Sequence, residues 1–266
     1  MSLLQLIQLV RLLLLLLTPC IAAFAQESFL KASDAARVLE LQGKTNHVQG
    51  IDTDGVYLWL TSVDSAGHKG YLREFRLEDG REIRSIELQD GGRFHPGGID
   101  TDTESIWIPV AEYRANSSAV IQKRNKKTFA LEFQFAVPDH IGCLAVTPEF
   151  IIGGNWDSRD FYFWDHQGRL IRKVASETGG AYQDMKFRLD GIIASGGLPE
   201  RSGAIDWLEF PSMHLVRRVI AGKTSRGASL TREAMTTFQE QLWLLPEDDQ
   251  SRLFVFPLAS LPSPAR

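Results

Sequence analysis

The sequence predicts an all-β fold, a single five-bladed β-propeller of four-stranded antiparallel blades, and three observations lead to it. First, one segment recurs. His47-Val48-Gln49-Gly50-Ile51-Asp52-Thr53-Asp54 returns as His95-Pro96-Gly97-Gly98-Ile99-Asp100-Thr101-Asp102, and more loosely as His140-Ile141-Gly142-Cys143-Leu144. Self-similarity at spacings of 48 and 45 residues points to a propeller or another closed repeat array. Second, alignment on Ile51, Ile99, Leu144, Met185 and Met235 places Trp59, Trp107, Ile152, Ile193 and Trp243 at the same later position. Five large apolar residues at one register are suited to filling the space between neighbouring blades. Third, from residue 36 onward turn signals arrive every 8 to 12 residues and helical periodicity is weak, as all-β chains show.

The elements follow in chain order. Residues 1–25 read as a signal peptide: Arg11, an apolar run from Leu12, and a small-x-small ending at Ala23-Phe24-Ala25, with cleavage before Gln26. A lipoprotein reading would need Cys20, and the preceding Pro19 fits it poorly. An exported, secreted or periplasmic protein is expected, with no membrane span once the leader is removed, because the apolar run is short. Residues 26–266 then form one propeller domain. Arg11 is the only charge in the leader, so the formal charge moves from −4 to −5. Cys143 alone remains of two cysteines, which excludes an intrachain disulfide. Asn116-Ser117-Ser118 matches a glycosylation acceptor, a short and frequent pattern.

The first repeat resolves into strands near residues 50–53, 56–63, 71–77 and 82–88, separated by Asp54-Gly55 and Asp79-Gly80 turns. The fifth repeat supplies strands at 232–239, 241–245 and 252–258 but no fourth. Arg37-Val38-Leu39-Glu40-Leu41 is a strand without a blade and becomes the missing one, closing the ring and removing exposed edges. A closed ring of this kind is expected to be a monomer. Six blades would need a further copy, and none is found.

Chemistry is expected on the face carrying the blade openings. Four residues before each anchor stand His47, His95, His140, Ala181 and Thr231; two before stand Gln49, Gly97, Gly142, Gln183 and Glu233. The loop on the same face carries Asp64, Glu112, Asp157, Leu198 and Asp248. Candidate ligand-binding residues are His47, Gln49, Asp64, His95, Glu112, His140, Asn155, Asp157, Asp184, Arg232 and Glu233. His47, His95 and His140 are the candidate metal ligands, since three imidazoles with an open position suit zinc and a nearby carboxylate can act as base. The alternative is that each histidine ties its loop to a blade by a hydrogen bond. Asp52, Asp54, Asp100 and Asp102 resemble a calcium set, but their place at the first hairpin makes them turn formers. Arg226, Arg232 and Glu233 read as an ion-pair network or as a carboxylate-recognising group.

His95-Pro96-Gly97-Gly98-Ile99-Asp100 resembles the blade opening of the NHL and SMP-30/strictosidine-synthase-like propellers. The repeated His-x-x-Gly-Ile-Asp after a leader also resembles a family of exported proteins of unknown function. That resemblance implies a propeller and carries over no catalytic residue. No basic block suggests nucleic acid, and no Gly-x-Ser-x-Gly, Walker or His-Glu-x-x-His motif is present. The function expected is binding of a small polar extracellular ligand at the channel mouth. The alternatives are a metal-assisted hydrolase of an ester, lactone or glycoside, using zinc or calcium, and a protein-interaction scaffold.

Overall fold

Five antiparallel sheets are arranged in a ring in the computed structural model, which describes residues 29–188, 191–200 and 202–262. The expected leader at residues 1–25 and its expected cleavage point lie outside the described residues. After β1 (Arg37–Glu40), blade 1 runs through β2 (His47–Thr53), β3 (Tyr57–Asp64), β4 (Lys69–Arg76) and β5 (Glu82–Leu88). Blade 2 opens with an interrupted strand, β6 (His95–Pro96) and β7 (Asp100–Thr101), followed by β8 (Ser105–Ala111), β9 (Ala119–Asn125) and β10 (Leu131–Val137). Blade 3 comprises β11 (Ile141–Val146), β12 (Ile151–Asn155), β13 (Asp160–Trp164) and β14 (Leu170–Ala175). Blade 4 comprises β15 (Ala181–Arg188), β16 (Gly191–Gly197), β17 (Gly203–Glu209) and β18 (Leu215–Ala221). The chain supplies three strands of blade 5, β19 (Ala234–Phe238), β20 (Gln241–Leu245) and β21 (Arg252–Pro257), and β1 pairs with β21 as the fourth. Closure is therefore by the N-terminal strand, as the missing fourth strand requires.

The inner pairing keeps one register around the ring. Asp52 lies opposite Trp59, Asp100 opposite Trp107, Ala145 opposite Ile152, Lys186 opposite Ile193 and Thr236 opposite Trp243. Each of those five large residues packs into the next blade. Trp59 joins Ile99 and Ile106, Trp107 joins Leu144 and Ile151, and Ile152 joins Met185 and Ile192. Ile193 joins Met235 and Leu242, and Trp243 closes the circle against Ile51 and Leu58. The core is thus a belt of five inter-blade clusters, and a gap in any one would separate two sheets.

The channel axis is filled. Asp184, from β15, accepts backbone N–H groups of Ile51 (3.0 Å), Met235 (3.1 Å) and its neighbour Met185 (3.0 Å). Lys186 Nζ reaches Asp184 Oδ1 at 2.6 Å and donates to the Ile99 and Met185 carbonyls. Both side chains are fully buried. Four blades are tied at one ion pair. Around it the backbones close in: a Cβ on Gly97 would stand 2.0 Å from the Gly142 carbonyl oxygen, so only glycine permits that approach. Toward the opposite face Arg188 lies 3.7 Å from each of Asp52 and Asp100.

The aspartates of the first hairpin turns therefore divide into two roles. Asp54 accepts from Val56 and Tyr57 N–H, and Asp102 from Glu104 and Ser105 N–H, so these two do form the turns. Asp52 and Asp100, expected to be turn formers with them, instead face the channel and are buried. Asp52 and Asp100 are still within β2 and β7, where the pairing aims them at the channel, whereas Asp54 and Asp102 lie just past the strand ends, where the chain turns.

Two stability predictions follow from ring closure and from the axis. Leu41, just past β1, is buried between blades 1 and 5, so Leu41→Ala should cost about 2–5 kcal/mol in a urea melt. Truncation through Gln42 should cost more, and an unchanged melt would refute closure by this strand. Lys186→Met leaves the Asp184 charge buried without its partner and should cost about 3–5 kcal/mol; an unfolding midpoint equal to wild type would show that the axis pair is dispensable.

Candidate functional site

The face carrying the blade openings has a pocket of about 390 Å³ at the channel mouth. Its walls include His47, Gln49, His95, His140, Asp157 and Glu233, expected there from the repeat register, and Arg232, expected as a charged neighbour of Glu233. Tyr113, Trp156, Tyr182 and Gln183 complete it. A second groove of about 440 Å³ between blades 3 and 4 shares Asp157 and Ala181 with it.

Four other expected residues stand elsewhere. Asp64 caps its own loop, accepting the Gly67 N–H at 3.0 Å. Glu112 is held by Arg114 and Ser118, and Asn155 donates to Asp139. Asp184 lies on the axis beneath the mouth, bound as described. For Asp64 and Glu112 the cause is the same: a loop carboxylate finds a nearby donor within its own loop and turns to it.

The three equivalent histidines occupy three environments. His47 Nδ1 donates to Asp248 Oδ1 at 3.0 Å and stands 3.7 Å from Glu233 Oε1. His140 Nδ1 donates to the Arg114 carbonyl at 3.0 Å. Both bonds run to the loop after the second strand of the preceding blade, so these histidines tie one blade to the next rather than to their own. His95 is the exception. Its Nδ1 is buried and has no hydrogen-bond partner among the described residues. The ring stacks on Tyr113 with centroids 4.5 Å apart and sits 5.4 Å from His140, which meets Trp156 edge-on at 4.5 Å.

Those environments set the charges. Burial, with the nearby His140 and His47, pushes His95 down to about 3, and burial lowers His140 as well, so both are neutral near pH 7. The hydrogen bond to Asp248 raises His47 above its ordinary 6.5 against the opposing effect of burial. Burial raises Glu233 to about 8, more than the attraction of His47 and Arg232 lowers it. Asp248 is opposed by burial too, but its bond to His47 and the charges of His47 and Arg232 hold it below the usual aspartate value. Arg232 bridges the pair, with Nε 2.9 Å from Glu233 and Nη2 2.8 Å from Asp248.

The metal expectation changes in detail. Among the described residues, the one cluster with metal-ligand spacing is His47, Glu233 and Asp248, whose donor atoms lie within 4.8 Å of one another. His95 and His140 stand outside it, so the three-histidine site is not assembled: His140 has committed Nδ1 to a carbonyl, and His95 is packed in an aromatic stack. The cluster that does form already holds a cation, the Arg232 guanidinium, across both carboxylates. It does not fit zinc or calcium. Arg226 belongs to a separate network with Glu247 and Arg252.

Sequence reading missed Tyr113, Trp156 and the role of Asp248. The two aromatics flank the register carboxylates Glu112 and Asp157 in loops whose other positions do not repeat, so no shared residue type marks them. Asp248 did share a register position with Asp64, Glu112 and Asp157, and only the fold shows that it faces a histidine across the ring closure.

Fold and site together define a closed five-bladed propeller with a mixed aromatic and ionic pocket at one mouth. The chain belongs to the family of unknown function DUF6454, whose model matches residues 36–181, more than half of it. Among solved structures it is similar to Myxococcus xanthus glutaminyl cyclase, at 15% identity and a TM-score of 0.63, covering 83% of this chain and 94% of that one. Weaker likenesses are to BamB from Moraxella catarrhalis (11% identity, TM-score 0.44, 81% and 61% covered) and the Pan2 WD40 domain of Neurospora crassa (10%, 0.48, 82% and 68%). At these identities the likeness is one of fold. No curated protein matches in sequence. Among the described residues, no helix is long and apolar enough to cross a membrane.

The ionic wall makes a pH prediction. Because His47's folded value lies above 6.5, the stability it contributes is present in full below about 6.5 and fades as pH rises through the folded value. Asp248→Asn should bring His47 down toward its ordinary value, read by NMR titration of the ring protons. An unmoved titration would remove Asp248 as the cause.

Proposed function

We propose that the mouth pocket binds a small, neutral, polar ligand with a face flat enough to stack. The observation that carries this is the division of the pocket into two unlike walls. His95, Tyr113, His140 and Trp156 present rings with no charge, and Tyr113 and Trp156 are 42% and 38% exposed. Opposite them stand Gln49, Gln183 and Glu233, whose hydrogen-bonding groups suit hydroxyls, amides or an ester carbonyl. Every guanidinium and ionised carboxylate here is already paired: Arg232 with Asp248, while its Nε also meets the carboxyl oxygen of Glu233, and Asp157 with Arg159 at 3.0 Å. A charged ligand would have to break one of those pairs, whereas a neutral one need not. Apolar rings with a few convergent polar groups are the usual make-up of a small-molecule site.

The leader-like sequence of residues 1–25 supports a meeting with this ligand outside the cytoplasm. The glutaminyl cyclase likeness places an enzyme within the same architecture and supports the architecture alone. The loops at the mouth are rich in Asp, Arg, Asn and Gly, which favours a small ligand over a protein scaffold.

Calorimetric and saturation-transfer NMR screening of neutral sugars, lactones and aromatic amides should find ligands. Trp156→Ala should weaken them by about tenfold or more, as loss of a stacking partner implies. Ligands that bind equally well to Trp156→Ala, or only charged ligands, would overturn this reading.

A further inference from the structure

We infer that the pocket also acts on its ligand, with His47 as a general base for hydrolysis of a neutral ester or lactone. This rests on the pocket being the ligand site and adds an activity to it. Of three histidines at one register, only His47 has a carboxylate on Nδ1. That bond fixes the ring and its tautomer and leaves Nε2 as the free nitrogen of a side chain lining the pocket. Asp248 is itself held in place: its Oδ1 also accepts the Val48 N–H at 3.1 Å, and its Oδ2 takes Arg232 at 2.8 Å. It is a positioning residue with three partners. Beside His47 stands Glu233, only 4% exposed in its side chain, with one carboxyl oxygen 2.9 Å from Arg232 Nε. His47 comes from β2 of blade 1, and both carboxyl groups come from blade 5, Glu233 at the entry to β19 and Asp248 in the loop after β20.

The step balances with water as the only co-reactant. His47 Nε2 takes a proton from water while the water oxygen bonds to the acyl carbon, and the carbonyl π pair moves onto the carbonyl oxygen. The protonated Glu233 carboxyl donates a hydrogen bond to that oxyanion. The intermediate collapses, re-forming C=O and breaking the bond to the alkoxy oxygen, which receives the proton from the His47 imidazolium. An acid and an alcohol leave, or one hydroxy acid from a lactone. The groups facing His47 are Glu233 and Arg232 from the entry to β19, Asp248 from the loop after β20, and His95 from blade 2. No metal takes part.

The test uses the full chain with phenyl acetate and six-membered lactones, in chelator, followed by proton release, with binding of each compound measured in parallel. Wild type should turn over, with kcat rising as pH rises through the His47 value measured by NMR and falling again at higher pH as Glu233 ionises. His47→Gln should lose about a hundredfold or more in kcat. Asp248→Asn should lose at least about tenfold, shift the pH profile down together with the His47 titration, and leave KM within about twofold. Glu233→Gln, which keeps an N–H donor, should keep more activity than Glu233→Leu. Thermal melts show that each variant is folded. Wild-type protein treated with diethyl pyrocarbonate supplies a second readout, with loss of activity and protection by bound ligand. Turnover unchanged in His47→Gln, or binding without any turnover, would overturn the catalytic role and leave the binding site standing. Absence of both binding and turnover would take the pocket reading down as well.

Discussion

The Asp184–Lys186 ion pair is the constraint on which the rest of the structure depends. It lies on the ring axis, where five innermost strands converge and backbone N–H groups cannot all find strand partners. Asp184 collects N–H groups from β2, β19 and its own strand, and Lys186 satisfies carbonyls that include Ile99 of blade 2. A buried charge pair adds little net stability by itself, but removing one partner is expensive. What this pair supplies is geometry. It fixes how far blades 1, 2, 4 and 5 can approach, and it closes the channel beneath the mouth so that a pocket, not a pore, results.

That closure explains the repeated motif better than chemistry at the motif does. His-x-x-Gly-Ile-Asp brings a glycine to the crowded rim, an aliphatic anchor to the inter-blade core and, in blades 1 and 2, an aspartate to the lower channel. The histidine is the freest element. In blades 1 and 3 it ties neighbouring blades together, and in blade 2 it joins the aromatic wall with an unsatisfied nitrogen. One inherited position has thus been put to three uses by three sets of neighbours.

Cys143 illustrates the same logic from the other direction. It occupies the register of Asp184 in blade 3, fully buried, with its thiol pushed up to about 12 by burial. A thiol that resistant to ionisation is a poor nucleophile and a poor ligand. At the equivalent place one blade on, the chain puts a carboxylate and builds its axis around it. Equivalent backbone positions take opposite chemistry because only one acceptor is needed at the centre.

The sequence by itself determined the architecture. Five anchors with a bulky residue eight positions later fix the inner register, since pairing of period two allows no slip without turning the core outward. The orphan strand at Arg37 and the incomplete fifth repeat fix the closure. Seven of the eleven candidate residues reached the pocket, six of them because equal offsets place equivalent atoms at equal height, and Arg232 as the neighbour of Glu233. The tertiary structure alone decided what those residues do there. Whether His47 meets Asp248, whether His95 meets nothing, and whether Arg232 bridges two carboxylates are set by contacts between the ends of the chain and by loops outside the repeat. Charge state follows burial and neighbours, and neither has a period that a sequence can display.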